Sequence, residues 1–353
     1  MNKKMIKAAL AAAVSLACAL GAHADNYTLR MGSGHTTGLT YVGQFDSYFA
    51  PEVSKRVKEK TGHNIRFIKA WGGSVAKVDA TIEAVHKGTL DIGLVPIGFE
   101  QSRAALLNYS AYVPFTSPDP VLQQKISHRM MKEVPALQES MKPYKSHVLA
   151  AMTSEAYGLA TTFDWNTMAA LKGKRLAMAG TNAPLFLPIE AVPVTLGIGE
   201  HYQAMQTKLA EGSLFYVSGM EAFKLQEVAK FWNKSGFGSL STLVAFMSTD
   251  TRAKLPPEVV QIIDQVAIET ADRVAETSRK RDQEVEARLK AAGITVNTLP
   301  EGERKRWAQL LIDLPGKSAR ELDARGLPAT EVLKTYIRFL GEAGYKFPAD
   351  YPL

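Results

Sequence analysis

The chain has 353 residues, 46% of them hydrophobic and 22% charged, with a formal charge of +7. This is the composition of a folded globular protein, long enough for one large core or two smaller ones, and it excludes a disordered or fibrous chain. A single cysteine excludes a disulfide framework, and no Lys/Arg run with interleaved aromatics points to nucleic acid.

The first residues read as an address label. Lys3, Lys4 and Lys7 precede an apolar run from Ala8 to Leu20, and Ala22-His23-Ala24 forms an A-x-A site before Asp25. That pattern is a secretory signal peptide over 1–24, cleaved after Ala24, which sends the mature chain to the periplasm. The only cysteine, Cys18, lies inside this leader, and Ser15 stands where a lipidation signal carries leucine. Removing the three leader lysines lowers the formal charge from +7 to +4, so the basicity carries little information about partners.

Tyr27 to Gly32 alternates like a strand and runs into the loop Ser33-Gly34-His35-Thr36-Thr37-Gly38. Phe45, Phe49, Val53 and Val57 then recur at helical spacing up to Thr61-Gly62. A second strand over 64–69 leads into Ala70-Trp71-Gly72-Gly73-Ser74, a helix follows over 78–86, and a third strand covers 90–95. Strand, helix, strand, helix, strand with short loops predicts a parallel sheet covered by helices.

His147 to Met152 reads as a buried strand followed by a loop, Thr153 to Gly158, where the chain crosses to a second lobe. That lobe is built around Leu171 to Phe215, with a strand after Leu171-Lys172-Gly173, a polar turn at Gly180-Thr181-Asn182-Ala183-Pro184, and a strand at 215–217. A polar loop at the carboxyl end of a buried strand is where open α/β sheets take small molecules. A helix is expected from Gly219 to Trp232, a crossing back at Ser235-Gly236-Phe237-Gly238, and a returning strand at 243–247. From Pro256-Pro257-Glu258 an apolar pattern persists to about Ala292, a helix about 50 Å long that would brace both lobes. The expected division is 25–152 with about 238–275 in lobe I, and 153–237 with about 276–353 in lobe II.

These segments, in this order, resemble the periplasmic solute-binding proteins of tripartite ATP-independent periplasmic (TRAP) transporters, the DctP-like group. Matching stretches are Tyr27 to Gly32, Glu83 to Ile92, Val113-Pro114-Phe115, Leu171-Lys172-Gly173, Glu200 to Gln206, Glu211-Gly212 and Leu255 to Glu258. The resemblance implies an α/β, two-lobed periplasmic-binding-protein-like (type II) fold with hinge strands and a long bracing helix. It also implies capture of a small organic solute by hinge closure and delivery to small and large permease subunits; a monomer with no cofactor, metal or enzymatic activity is expected.

The chain departs from the family where the family reads its ligand. The arginine that usually follows the Leu-Lys-Gly turn, and pairs with a ligand carboxylate, corresponds to Ala177. A second arginine often found after a glycine of the preceding strand falls at Leu159 or Ala160. An asparagine and a histidine of the family fall at Phe215 and Phe237. The expected site is therefore walled by Trp71, Phe186, Phe215 and Phe237, with His35, Ser74, Glu155, Tyr157 and Asn182 as its polar groups, Ala177 at the vacated position, and an aromatic or apolar solute, which as an acid would be held by His35, Lys69 or backbone N–H groups. Competing classes are a ligand sensor for a membrane receptor kinase and an envelope hydrolase; for the hydrolase the chain offers no nucleophile–base–orienter set.

Overall fold

A computed structural model describes residues 25–353, so the leader and its cleavage site lie outside the described residues. Strands β1 (Asn26–Ser33), β2 (Asn64–Ala70) and β3 (Ile92–Pro96) are parallel, with β1 between the other two. Arg30, on the outward face of β1, is pinned by Asp91, which accepts from both its backbone N–H and its Nε. The helix after β1 is continuous from Thr40 to Thr61 but widens into a π-turn at Phe45–Phe49. The extra residue in that turn brings Phe45 and Phe49 together in the core, with ring centroids 4.6 Å apart.

Strand β4 (Ser146–Met152) ends the first lobe's passage, and the second lobe contributes β5 (Tyr157–Thr161), β6 (Arg175–Met178), β7 (Val192–Thr195), β8 (Gly212–Tyr216) and β9 (Phe231–Lys234). The chain then returns through β10 (Leu243–Ser248), which inserts antiparallel between β3 and β4, giving the order β2-β1-β3-β10-β4. The second sheet, completed by β11 (Thr295–Thr298), runs β11-β9-β5-β8-β6-β7. The fold is thus α/β with two sheets, one per lobe.

Two local expectations change. The helix expected to reach Trp232 stops at Ala222, because Lys224 takes a left-handed backbone (φ 55°) and Phe231-Trp232 pair into the sheet as β9. The loop expected through Gly158 is already strand from Tyr157, since Gly158 lets the Trp232 ring lie flat on β5; a Cβ there would come 2.3 Å from the indole.

The long helix runs Pro257–Ala291, 35 residues. Its first turns bury Val259, Ile263, Val266 and Val274 against the first lobe, and its end buries Val285 and Leu289 in the second. There Arg288 forks onto Glu221 at 2.6 and 2.8 Å. Helix Glu301–Leu310 seats Trp307 in the second lobe's core. The helices Leu314–Asp323 and Ala329–Glu342 go back to the first lobe, which corrects the expected assignment of 276–353 to lobe II. Their stripe of Leu322, Val332, Tyr336 and Phe339 is wide and apolar, and it is buried against Ile82, Val95 and Tyr109 of the first lobe.

Candidate functional site

The hinge decides how the lobes face each other. Between β4 and β5 stands Glu155, 1% exposed. Its carboxylate accepts from Thr40 Oγ1 of the first lobe at 2.8 Å and from the Ser218 N–H of the second at 2.8 Å. Burial raises its proton affinity, and it acts in turn on Asp282 of the long helix, whose pKa is pushed up to about 8 by burial and then by the Glu155 charge. The returning passage approaches just as closely. Gly238 has φ 94°, and a Cβ there would lie 2.4 Å from the Thr116 carbonyl oxygen, so only glycine fits.

Two cavities lie where the lobes meet. The outer one is a cleft of about 930 Å³. The first lobe lines it with His35, Gly73, Lys77, Asp79 and Phe99, and the second with Thr195, Gly197, Glu200 and Phe223. Beneath it a deeper cavity of about 20 Å³, room for about one water, lies against Phe99, Tyr157, Asn182, Phe215, Tyr216 and Thr242. Gly98 and Phe99, just beyond β3, belong to both walls and separate the two spaces.

His35 is 2% exposed, and burial lowers its pKa to about 3, so the imidazole is neutral. Its Nδ1 is 2.9 Å from the Tyr41 hydroxyl, while Nε2 has no partner among the described residues. The Phe215 and Phe223 rings meet it edge-on, each with its centroid 6.4 Å away. Phe215 itself rests on Gly219, where a Cβ would come 2.2 Å from the ring. Tyr157 is half-buried, and desolvation of its hydroxyl raises the pKa to about 12.

The candidate residues therefore divide. His35 lines the cleft; Tyr157, Asn182 and Phe215 line the deeper cavity. Glu155 sits at the hinge and lines neither. Phe186 and Phe237 are corrections: both are buried in the second lobe's core, where they pack on Trp307 at centroid distances of 5.3 and 5.0 Å. Trp71 is another, since its Nε1 donates to Asp46 at 2.9 Å and its ring covers the first lobe's core. Lys69 pairs with the same Asp46 at 2.8 Å. Ser74 is exposed on the loop and lines neither cavity. Ala177 is fully buried in an apolar cluster and also lines neither.

The comparisons agree with this architecture. The family model of bacterial extracellular solute-binding proteins, family 7 (DctP), matches residues 46–320. The chain belongs to this family. A solute-binding protein of Albidiferax ferrireducens is 25% identical over 268 residues, 74% of this chain and 76% of its own length. The Bordetella pertussis extracytoplasmic solute receptor that binds pyroglutamic acid has 18% identity and a TM-score of 0.76, covering 88% of this chain and 99% of that one. A TRAP solute-binding protein of Bordetella bronchiseptica, with copurified calcium and picolinate, has 17% identity and a TM-score of 0.78, covering 91% and 93%. The resemblance to TRAP solute-binding proteins thus holds. The family is one of receptors, not enzymes, that bind small organic solutes and work with membrane permease subunits.

In this family-7 protein Phe99, Tyr216, Lys77, Asp79 and Thr195 also line the two cavities, beyond the residues expected from the sequence. Phe99 had a usable signal: it follows the buried strand β3 at its carboxyl end, the same rule that drew attention to Asn182. His201, inside a matched family segment, donates from Nε2 to the Leu196 carbonyl at 3.2 Å and accepts from Ser213 at 2.7 Å. Those bonds hold the helix Ile198–Gln206 against β8. Among the described residues no His/Cys/Asp/Glu group gathers as a metal site, and no helix is long and apolar enough to cross a membrane.

Proposed function

We propose that this receptor, released into the periplasm by cleavage after Ala24, works as a monomer that closes its lobes over one small organic solute and presents it to a TRAP permease. The solute body occupies the cleft against His35, and on closure one end reaches past Phe99 toward Tyr157, Asn182 and Phe215. Its body is flat or apolar. The observation that carries this reading is the wall chemistry of the deeper cavity. Among the described residues two Phe and two Tyr rings line it and no Lys or Arg does. A dianion there would lose its hydration without a charge-assisted partner, at a cost of several kcal/mol.

Relatives bind acids such as pyroglutamate and galacturonate, so an acidic solute is the natural rival. A melting panel separates the two. A binder at ~100 Kd adds ~2.7 kcal/mol to stability, readily seen as a shift in Tm. Flat aromatic and lactam compounds should give that shift and succinate should not; a clear succinate shift overturns the solute class. Presentation to a receptor kinase gains no support from the family match.

A further inference from the structure

We infer that the solute offers His35 an uncharged hydrogen-bond acceptor, an amide or carbonyl oxygen and not a carboxylate. This rests on the reading of the cleft as the solute site. His35 Nε2 is a buried polar atom with no protein partner, on a side chain that lines the cleft. Buried polar atoms are almost always satisfied, so an orphan on a side chain that lines a cleft marks a place for a ligand atom once the lobes close over it.

The network behind the ring sets which kind of atom. Ser33 Oγ donates to the Leu94 carbonyl at 2.8 Å, so its proton is already committed. The Tyr41 hydroxyl lies 2.9 Å from His35 Nδ1 but 3.4 Å from Ser33 Oγ. Its single proton goes to the nearer and better acceptor, Nδ1. The ring's own proton is then on Nε2, and His35 presents an N–H donor to the cleft.

Charge decides between acceptors. Burial alone depresses the imidazole, and no charged neighbour contributes. Of the ionisable groups lining the cleft around it, Lys77 is the one cation and Asp79 and Glu200 are anions, one from each lobe. A carboxylate would enter a cleft with more negative than positive charge and meet a neutral imidazole. The deeper space repeats the pattern: Tyr216, 3% exposed, lines it with an unpartnered hydroxyl held protonated by burial. Both ends of the site thus offer neutral hydrogen-bonding groups.

The test uses matched acid and amide pairs, nicotinate with nicotinamide and pyroglutamate with its amide, in thermal shift and calorimetry at pH 6 and pH 8. The amides should bind, with Kd nearly the same at the two pH values. His35→Ala should weaken amide binding by about 10-fold, the loss of one buried hydrogen bond, and His35→Gln, which keeps an N–H donor, should recover part of it. Binding of the acids alone, or affinity that rises about 10-fold per unit of falling pH as the imidazole takes up a proton, overturns the inference and leaves the receptor role standing. An unchanged Kd in a folded His35→Ala protein also overturns it. If neither series binds, the cleft as solute site fails together with the inference. The acid–amide and pH comparisons need only the wild-type protein, so a variant that folds poorly does not remove the test.

Discussion

Asp282 and Glu155 show how a residue can be set by a hinge and not by its own helix. Asp282 faces Glu155 from the long helix, and its folded pKa of about 8 exceeds the usual 3.8. A carboxyl whose pKa rises on folding binds its proton more tightly in the native state. The folded state is then penalised progressively as pH climbs from about 4 to about 8. Replacing Asp282 with Asn removes that penalty, so the variant should melt higher than wild type, by more at pH 8 than at pH 5. Equal differences at both pH values, in paired thermal melts, would refute the assignment. Glu155 was legible from sequence only as a polar residue in a crossing loop. Its two partners, Thr40 and Ser218, lie 115 and 63 positions away, and no local pattern announces them.

At the scale of elements, the aromatic residues of the second lobe separate by where they meet the first. Phe237 and Phe186 join Phe115 and Trp307 in one packed cluster, whereas Phe215 stands at the seam between lobes. Phe115 reaches this cluster from the first lobe with a left-handed backbone, φ 56°, an uncommon conformation for a bulky side chain. Phe237→Ala should therefore destabilise the fold by about 3–5 kcal/mol with little change in Kd for bound solute. Phe215→Ala, also buried, should cost comparable stability and in addition weaken solute binding, which Phe237→Ala should not. Denaturant unfolding with calorimetry on both variants distinguishes them. The elements themselves were largely readable, because periodicity reports burial on one face. Trp232 was misread because a short aromatic run between a helix and a turn suits either a buried helix end or a short strand. Pairing with β5 and β11 decided it.

For the whole molecule, the contact that matters is lobe on lobe. Gly98 of the first lobe faces Thr181 of the second so closely that a Cβ would sit 2.8 Å from its hydroxyl oxygen. A larger side chain there keeps the lobes apart without disturbing either core. Gly98→Val should weaken solute binding by about 10-fold by depleting the closed state, with an unliganded Tm close to wild type. Small-angle scattering should show a larger radius of gyration in the presence of solute than wild type shows. Equal compaction in the two proteins would remove Gly98 from the closure.

What the amino-acid order determined by itself was local and one-sided: the parallel strands, the 35-residue helix and the apolar face of each helix. These follow from periodicity, caps and turn residues within a few positions of each other. The segment order also pointed to the solute-binding family. The tertiary structure alone decided which aromatics face the cleft, which side chain bridges the hinge, and which lobe receives the last two helices. Those depend on pairs of residues far apart in the chain meeting in space. The same holds for His35: its place in a Gly/Thr-rich loop was visible in the sequence, but the direction of its free N–H comes from Tyr41, Ser33 and Leu94 meeting behind it.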